Sequence, residues 1–384
     1  MWPAKASSAV FKPNDAPIDP ETAIRIIDCA RDITESAEKL RNAGIQTVIR
    51  YYAREGGQWC GKTLSLAESK AIDAAGLSTA VVFQNENNHA DFFYDPNKKK
   101  LDAAAALDHA SKIVQPKGTP IYFGADFDLI AKRKKDAHGN FIMEGEGDNK
   151  HFVMEWSREI LMRNQRAILE YFKYVKTELR AKGYKVGVYG CGATCNLLSR
   201  LDDPIVDYVW LSASVGYLDT AKFYNLNPKR WHLFQNWTEL RSDWIPKNCS
   251  DSYGRNVAHK DKVRVIDSNI LNPNFEDFGQ WRRDGSRPPH SRAASEKVLK
   301  SRVFARKKLV RLRAPAGDRP GELLPESTAK ISYAKNARVL RDHGDYVAVS
   351  LNETDSVAGY CLRDDLTADL NQMPPWLQPR SQPE

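Results

Sequence analysis

The chain is short of several things, and each shortage closes a route. No apolar run in its 384 residues approaches the roughly 20 that a bilayer-spanning helix needs. The first ten residues, Met1 to Val10, carry no basic segment followed by an apolar one, so no secretory signal peptide is read there. Cysteine is sparse: six, at 29, 60, 191, 195, 249 and 361, with only Cys191 and Cys195 close together. A structural zinc site would want C-x-x-C with a second pair or with histidines, and the eight histidines show no H-E-x-x-H spacing. Buried thiols are the expectation, with a disulfide or two left open if the protein works outside the cytoplasm. Glycine is missing where a dinucleotide fold would place it: the first predicted strand runs into Asp28-Cys29-Ala30-Arg31-Asp32. No metal and no cofactor is expected.

Positive charge is present but confined. The formal net charge is +8, and residues 282–313 hold twelve Lys/Arg against Asp284 and Glu296, so the remainder is close to neutral. A basic segment of this kind is a solvated linker or a contact for an acidic polymer, an anionic lipid or nucleic acid. Specific nucleic-acid recognition is not expected, and the chain is expected to act as a monomer.

The order of elements falls into five pieces. Residues 1–20 carry four prolines and read as an extended arm. Residues 21–281 alternate apolar runs with amphipathic stretches, as β/α repeats do. Eight strands are predicted, at 24–28, 47–51, 79–84, 120–127, 185–189, 208–212, 231–235 and 264–267. Ser65 and Glu68 have capping-box spacing ahead of a helix that Gly76 stops, and a long amphipathic helix fills 156–182. Eight parallel strands with helices between them over about 260 residues predict a (β/α)8 barrel. After Asp128 a long connection runs to Met154, read as a lid, a substrate wall or a surface insertion. Residues 282–307 form a basic Pro/Ser/Arg-rich linker, 308–370 a small all-β barrel of short strands, and 371–384 a polar, Pro-rich tail read as disordered.

Within the barrel segment, acids follow short apolar runs. Ile24-Arg25-Ile26-Ile27 ends in Asp28, Ile121-Tyr122-Phe123-Gly124-Ala125 ends in Asp126-Phe127-Asp128, and Val263-Arg264-Val265-Ile266 ends in Asp267. In a parallel barrel, such ends deliver carboxylates to one open face. Alternate residues of a strand face the same way, so Asp126 and Asp128 should both enter the mouth while Phe127 packs outward. Paired carboxylates of unequal proton affinity are what glycoside hydrolysis uses.

These motifs, with Val209-Trp210-Leu211-Ser212, Trp231-His232-Leu233-Phe234-Gln235-Asn236-Trp237 and Val265-Ile266-Asp267-Ser268-Asn269, resemble glycoside hydrolase family 25, the muramidase-type lysozymes. The segment looks still more like related bacterial glycoside-hydrolase-like domains. Residues 308–370, with Gly359-Tyr360 and Leu366, resemble the bacterial Src-homology-3-like domains that accompany cell-wall enzymes. The resemblance implies Asp128 as general acid, Asp126 as its ionised partner, and Asp28 and Asp267 as stabilisers of positive charge or of the water. It implies Gln235, Tyr189 and Asn269 as sugar hydrogen-bonders, and Trp210 and Trp237 as stacking platforms. It departs at residue 128, where the family carries glutamate; aspartate is shorter, and Glu86 is a possible replacement acid. The activity implied is peptidoglycan hydrolysis, with a non-catalytic glycan-binding protein as the alternative. Work at the cell envelope without a signal peptide would require a dedicated secretion apparatus or phage-type lysis.

Overall fold

The computed structural model describes residues 25–56, 62–144, 151–200, 202–214, 217–226, 229–242, 265–272 and 274–290, the strand Val10–Phe11, and strand segments between 302 and 367. The rest of the N-terminal arm, half of the linker, the tail, Cys60 and Cys249 lie outside the described residues.

Eight strands close a barrel. They are β1 (Ile26–Asp28), β2 (Thr47–Tyr52), β3 (Ser78–Phe83), β4 (Pro120–Ala125), β5 (Lys185–Gly190), β6 (Tyr208–Leu211), β7 (Leu233–Ser242) and β8 (Val265–Leu271). Each pairs with its neighbour, and β7 pairs with β8 to complete the ring. Val10–Phe11 adds a short parallel strand at Arg241 and Ser242 of β7.

One prediction needs correction. β1 to β7 are parallel, but β8 is antiparallel to both β7 and β1. β7 continues beyond Phe234, the last residue paired to β6, and β8 pairs with that extension from Arg241↔Val265 onward. An antiparallel return of this kind requires no crossover helix.

Alternation along the strands separates two cores. Ile26, Ile49, Ala80, Val82, Tyr122, Tyr208, Trp210, Leu233 and Leu271 fill the barrel interior. Their neighbours, such as Ile27, Val48, Val81, Phe123, Val188 and Phe234, pack outward. Helices cover that outer layer: α1 (Ala37–Asn42), α2 (Leu66–Ala74), α3 (Lys98–Lys112), α4 (Arg158–Ala181), α5 (Gly192–Leu198) and α6 (Thr220–Leu226). α4 starts at Ser157, whose side chain accepts from Ile160 N, and buries Ile160, Leu161, Asn164, Ile168, Tyr171, Phe172, Val175 and Leu179 at helical spacing. Gly187 makes the interior possible, since a Cβ there would lie 2.4 Å from the Tyr122 ring.

The capping box before α2 is half formed. Ser65 Oγ accepts from Glu68 N at 3.0 Å. The Glu68 carboxylate goes instead to the buried Arg50, at 2.6 and 3.1 Å, and to Ile33 N at 2.9 Å. Arg50 also donates to the carbonyl of Cys29, immediately after β1. The pair clamps the turn that follows Asp28.

The chain after β8 seals the base. Tyr122 Oη donates to Phe278 O at 2.6 Å, and Thr79 pairs with Trp281. Arg282 donates to Gly76 O, Arg283 to Ile113 O and Arg287 to Gly118 O. Residues 282–290, read in the sequence as the start of a linker, are therefore bonded to the barrel.

The connection after β4 forms a ribbon, with Ala131–Arg133 paired to Met154–Trp156 and Met143–Glu144 to His151–Phe152. Beyond the barrel the described backbone is all-β. Seven antiparallel strands run in the order Arg319–Leu323, Arg313–Ala316, Gly359–Leu362, Tyr346–Ser350, Asn336–His343, Arg302–Ala305, Leu366–Thr367, and Leu309–Arg311 pairs separately with Lys330–Ser332. The first of these in sequence, Arg302–Ala305, lies inside the predicted linker.

Candidate active site

The reversed direction of β8 governs the site. Asp267 lies in the first half of that strand, so a parallel β8 would have carried it towards the base. Because β8 descends from the mouth, Asp267 stands opposite Asp28, the last residue of β1. Directly opposed residues share a face, and two like charges there are unfavourable unless something intervenes. Gln235 on β7 intervenes: its Nε2 reaches Asp267 Oδ2 at 2.9 Å and Asp28 Oδ2 at 3.4 Å.

Two further donors decide which way the amides face. Tyr189 Oη donates to Gln235 Oε1 at 2.8 Å, leaving the amide nitrogen for the acids. The Trp210 indole, which can only donate, gives its N–H to Asn269 Oδ1 at 2.8 Å. Asn269 Nδ2 then turns to Asp28 Oδ2 at 2.9 Å. Tyr51 Oη completes the shell of Asp28, donating to Oδ1 at 2.7 Å. Asp28 is 2% exposed; burial raises its pKa, and the bonds from Asn269, Tyr51 and Gln235 oppose that rise. Burial, followed by the nearby acids, holds the Tyr51 and Tyr189 phenols well above their ordinary range.

Asp126 follows the end of β4 and is half-buried. Burial pushes its carboxyl up to about 6; Lys62 pulls it down and Asp28 adds to the rise. Lys62 is buried, donates to Gln84 Oε1 at 2.7 Å and lies 4.5 Å from the centre of the Tyr51 ring. Burial lowers its ammonium to about 8, against the attraction of Asp126 and Asp28. The mouth thus gathers three carboxylates, one buried cation, two phenols and two oriented amides above an apolar floor.

Asp128 takes a different place from Asp126. β4 ends at Ala125, so strict alternation no longer applies beyond it. Asp128 is 7% exposed and accepts the Leu218 backbone N–H at 3.1 Å. Burial and then the Asp128 charge push the Cys191 thiol up to about 11, which puts Asp128 on the side of α5 and the loop before α6. Phe127 between them packs outward on Phe93, as expected from the sequence.

The other predicted residues divide. Trp210 is 2% exposed, with the Tyr189 ring tilted against it at 4.6 Å and the Tyr122 ring edge-on at 5.9 Å. It is part of the floor and orients Asn269; a sugar has no open face of it to stack on. Glu86 is 41% exposed in its side chain and pairs with Arg54 (3.8 Å) and Lys98 (3.6 Å). The backbone of Trp237 lies in β7 opposite Ser268, and its side chain lies outside the described residues. Cys29, Cys191, Cys195 and Cys361 are buried. Sequence reasoning missed Tyr51, Lys62 and Gln84. Tyr51 shares the inward parity of Thr47 and Ile49 and was legible on that ground; Lys62 lies between strands, where no periodicity marks it.

The chain is similar to several known proteins. The uncharacterized protein FadG of Bacillus subtilis (strain 168) is 25% identical over 205 residues, 52% of this chain and 31% of that protein, so the chain spans about a third of this relative's length. The Tat-secreted protein Rv2525c of Mycobacterium tuberculosis superposes over 66% of this chain and 97% of its own, at 18% identity and a TM-score of 0.42. The modular autolysin LytC of Streptococcus pneumoniae covers 64% of this chain and 46% of its own, at 12% identity and a TM-score of 0.34. The model of one family matches residues 38–141 and 155–271, which contain seven of the eight barrel strands and leave out only the outer part of the ribbon between them. The chain belongs to the Rv2525c-like, glycoside hydrolase-like domain family.

Proposed function

We propose that the barrel is a glycosidase of muramidase type acting on bacterial cell-wall glycan. The observation that carries this reading is the meeting of Asp28, Asp126 and Asp267 at one barrel mouth, with burial lifting Asp126 to about 6. Glycoside hydrolysis needs a carboxylic acid that keeps its proton near neutrality and a second carboxylate that stays charged. In this reading Asp126, not Asp128, protonates the leaving oxygen. Asp267, half-buried and oriented by Gln235, stabilises the developing positive charge or activates water. Asp28, held by Tyr51, Asn269 and Gln235, keeps the frame rigid. Lys62 sets how tightly Asp126 holds its proton, and Asp128 anchors the loop at Leu218.

The kinship with family 25 lysozymes and the Src-homology-3-like character of the C-terminal all-β unit belong to the same proposal, the small unit holding the wall polymer while the barrel works on it. The test is incubation with purified peptidoglycan, followed by mass analysis of fragments and assay of new reducing ends. Wild-type protein should release reducing sugars and Asp126→Asn should not. Absence of new ends with wild-type protein, or full activity in Asp126→Asn, rejects the reading. One observation favours a second reading, a non-catalytic glycan-binding barrel: Asp28 already accepts from three donors, which suits a fixed binding floor. Retention on the glycan without any bond cleavage would select it.

A further inference from the structure

A second concave site lies at the opposite end of the barrel. Between the loop before β2, the turn after α2 and the segment that closes the base is a cavity of about 140 Å³, lined by Arg41, Gln46, Ser78, Arg282 and His290 among others. Two guanidinium groups converge on it over Gly76. Arg282 Nη2 donates to Gly76 O at 2.8 Å, and Arg41 Nε lies 3.8 Å from where a Gly76 side chain would begin. A third cation, Arg25, is close enough to act on His290, whose imidazole burial and then Arg25 hold down to about 4. His290 is therefore neutral near pH 7, its Nε2 set 2.9 Å from Thr47 Oγ1.

No carboxylate lines the cavity, and among the described residues neither Arg41 nor Arg282 forms an ion pair. Asp284 is near enough to feel Arg282, but its main bonds are to Ser286. Arg282 Nε is buried without a partner, and so is Gln46 Oε1. Like charges brought together at one hollow are unfavourable unless an anion completes the set. A guanidinium fork is shaped for an oxyanion. Gln46 Oε1 asks for something more, a donor. Hydrogen phosphate carries both charged oxygens and a P–OH; sulfate and phosphodiesters lack the P–OH. The cavity also has the room, since a water takes about 30 Å³ of liquid volume.

We infer that the base of the barrel is a binding site for the phosphate group of inorganic phosphate or a phosphate monoester, held by Arg41 and Arg282 with Gln46 accepting its hydroxyl. The site is independent of the acids at the mouth.

Titration calorimetry on the full chain, at fixed ionic strength and pH 6, tests this with inorganic phosphate, sulfate, glucose 1-phosphate and dimethyl phosphate. Saturable binding of inorganic phosphate, stronger than that of sulfate or dimethyl phosphate, is expected. Glucose 1-phosphate binding more tightly than inorganic phosphate would identify an esterified ligand, and the reverse a free anion. Arg41→Glu should weaken phosphate binding by at least about tenfold, the loss of one charge-assisted contact. Arg41 is exposed, so the variant's melting temperature without phosphate should match wild type. Gln46→Met should bring phosphate and sulfate to equal affinity. Absence of saturable binding, equal binding of phosphate and sulfate by wild type, or undiminished binding by a folded Arg41→Glu overturns the inference.

Discussion

The two ends of the barrel use polar groups in opposite ways. At the base, Arg282, Arg283 and Arg287 each donate to a backbone carbonyl left open by a helix end or loop, and the chain returning from β8 is bonded down. At the mouth, acids of one sign are pressed together, Asp28 buried and Asp126 and Asp267 half-buried, and the donors around them orient the carboxylates without neutralising them. Outside the hollow at Arg41 and Gln46, the base is arranged for stability. The mouth bears electrostatic strain that a purely structural rim would not need, which matches the general assignment of chemistry to this face of such barrels.

The strongest way to break that contrast is Asp126→Asn. If the mouth is catalytic, loss of its proton donor should lower the rate of reducing-end release by about 10²–10⁴-fold. The same change should not harm stability. Burial and Asp28 raise the Asp126 pKa to about 6 in the folded state, so the folded protein holds a proton that the unfolded chain has lost. Stability from this group is therefore full at low pH and declines between about 4 and 6, and Asn should be neutral or stabilising at pH 7. Denaturant melts of both proteins at pH 5 and pH 7 check the sign. Activity should fall as pH rises through about 6.

Next in size is Glu68→Ala, which strands the buried Arg50 beneath the mouth. A loss of about 3–5 kcal/mol is expected by urea denaturation, because a buried charge would lack its partner. Gly187→Ala should cost about 1–3 kcal/mol by forcing Tyr122 to move, and should weaken both ends because Tyr122 ties the interior to Phe278 at the base. Asp128→Asn separates the two aspartates of the Asp-x-Asp pair. It should lower stability by about 1 kcal/mol through its bond to Leu218 N and reduce activity far less than Asp126→Asn. Arg283→Ala, at the base, should cost about 1 kcal/mol and leave reducing-end release unchanged.

The positions of the three mouth acids were legible because each ends or interrupts a short apolar run. Their grouping was legible for Asp28 and Asp126 through the parallel-barrel rule. Asp267 reached the mouth for a reason the sequence did not carry, the antiparallel course of β8. The alternation argument failed for Asp128 because the strand ends three residues before it. Trp210 was read as a platform since an aromatic at a strand end looks the same whether it is covered or open; only its packing against Tyr189 and Tyr122 settles which. Glu86 looked available until Arg54 and Lys98 were seen beside it.

The sequence by itself determined the β/α repeat, the inward and outward faces of the strands, the helix stops at Gly76 and Gly183, and the change to all-β texture near residue 308. These depend on local periodicity and backbone preference, which a linear chain carries in full. The tertiary structure alone decided which acids share a proton environment, how Gln235 and Asn269 point, and which arginines meet around the basal hollow. Those are matters of burial and of distance between residues hundreds of positions apart, and neither exists until the ring is closed.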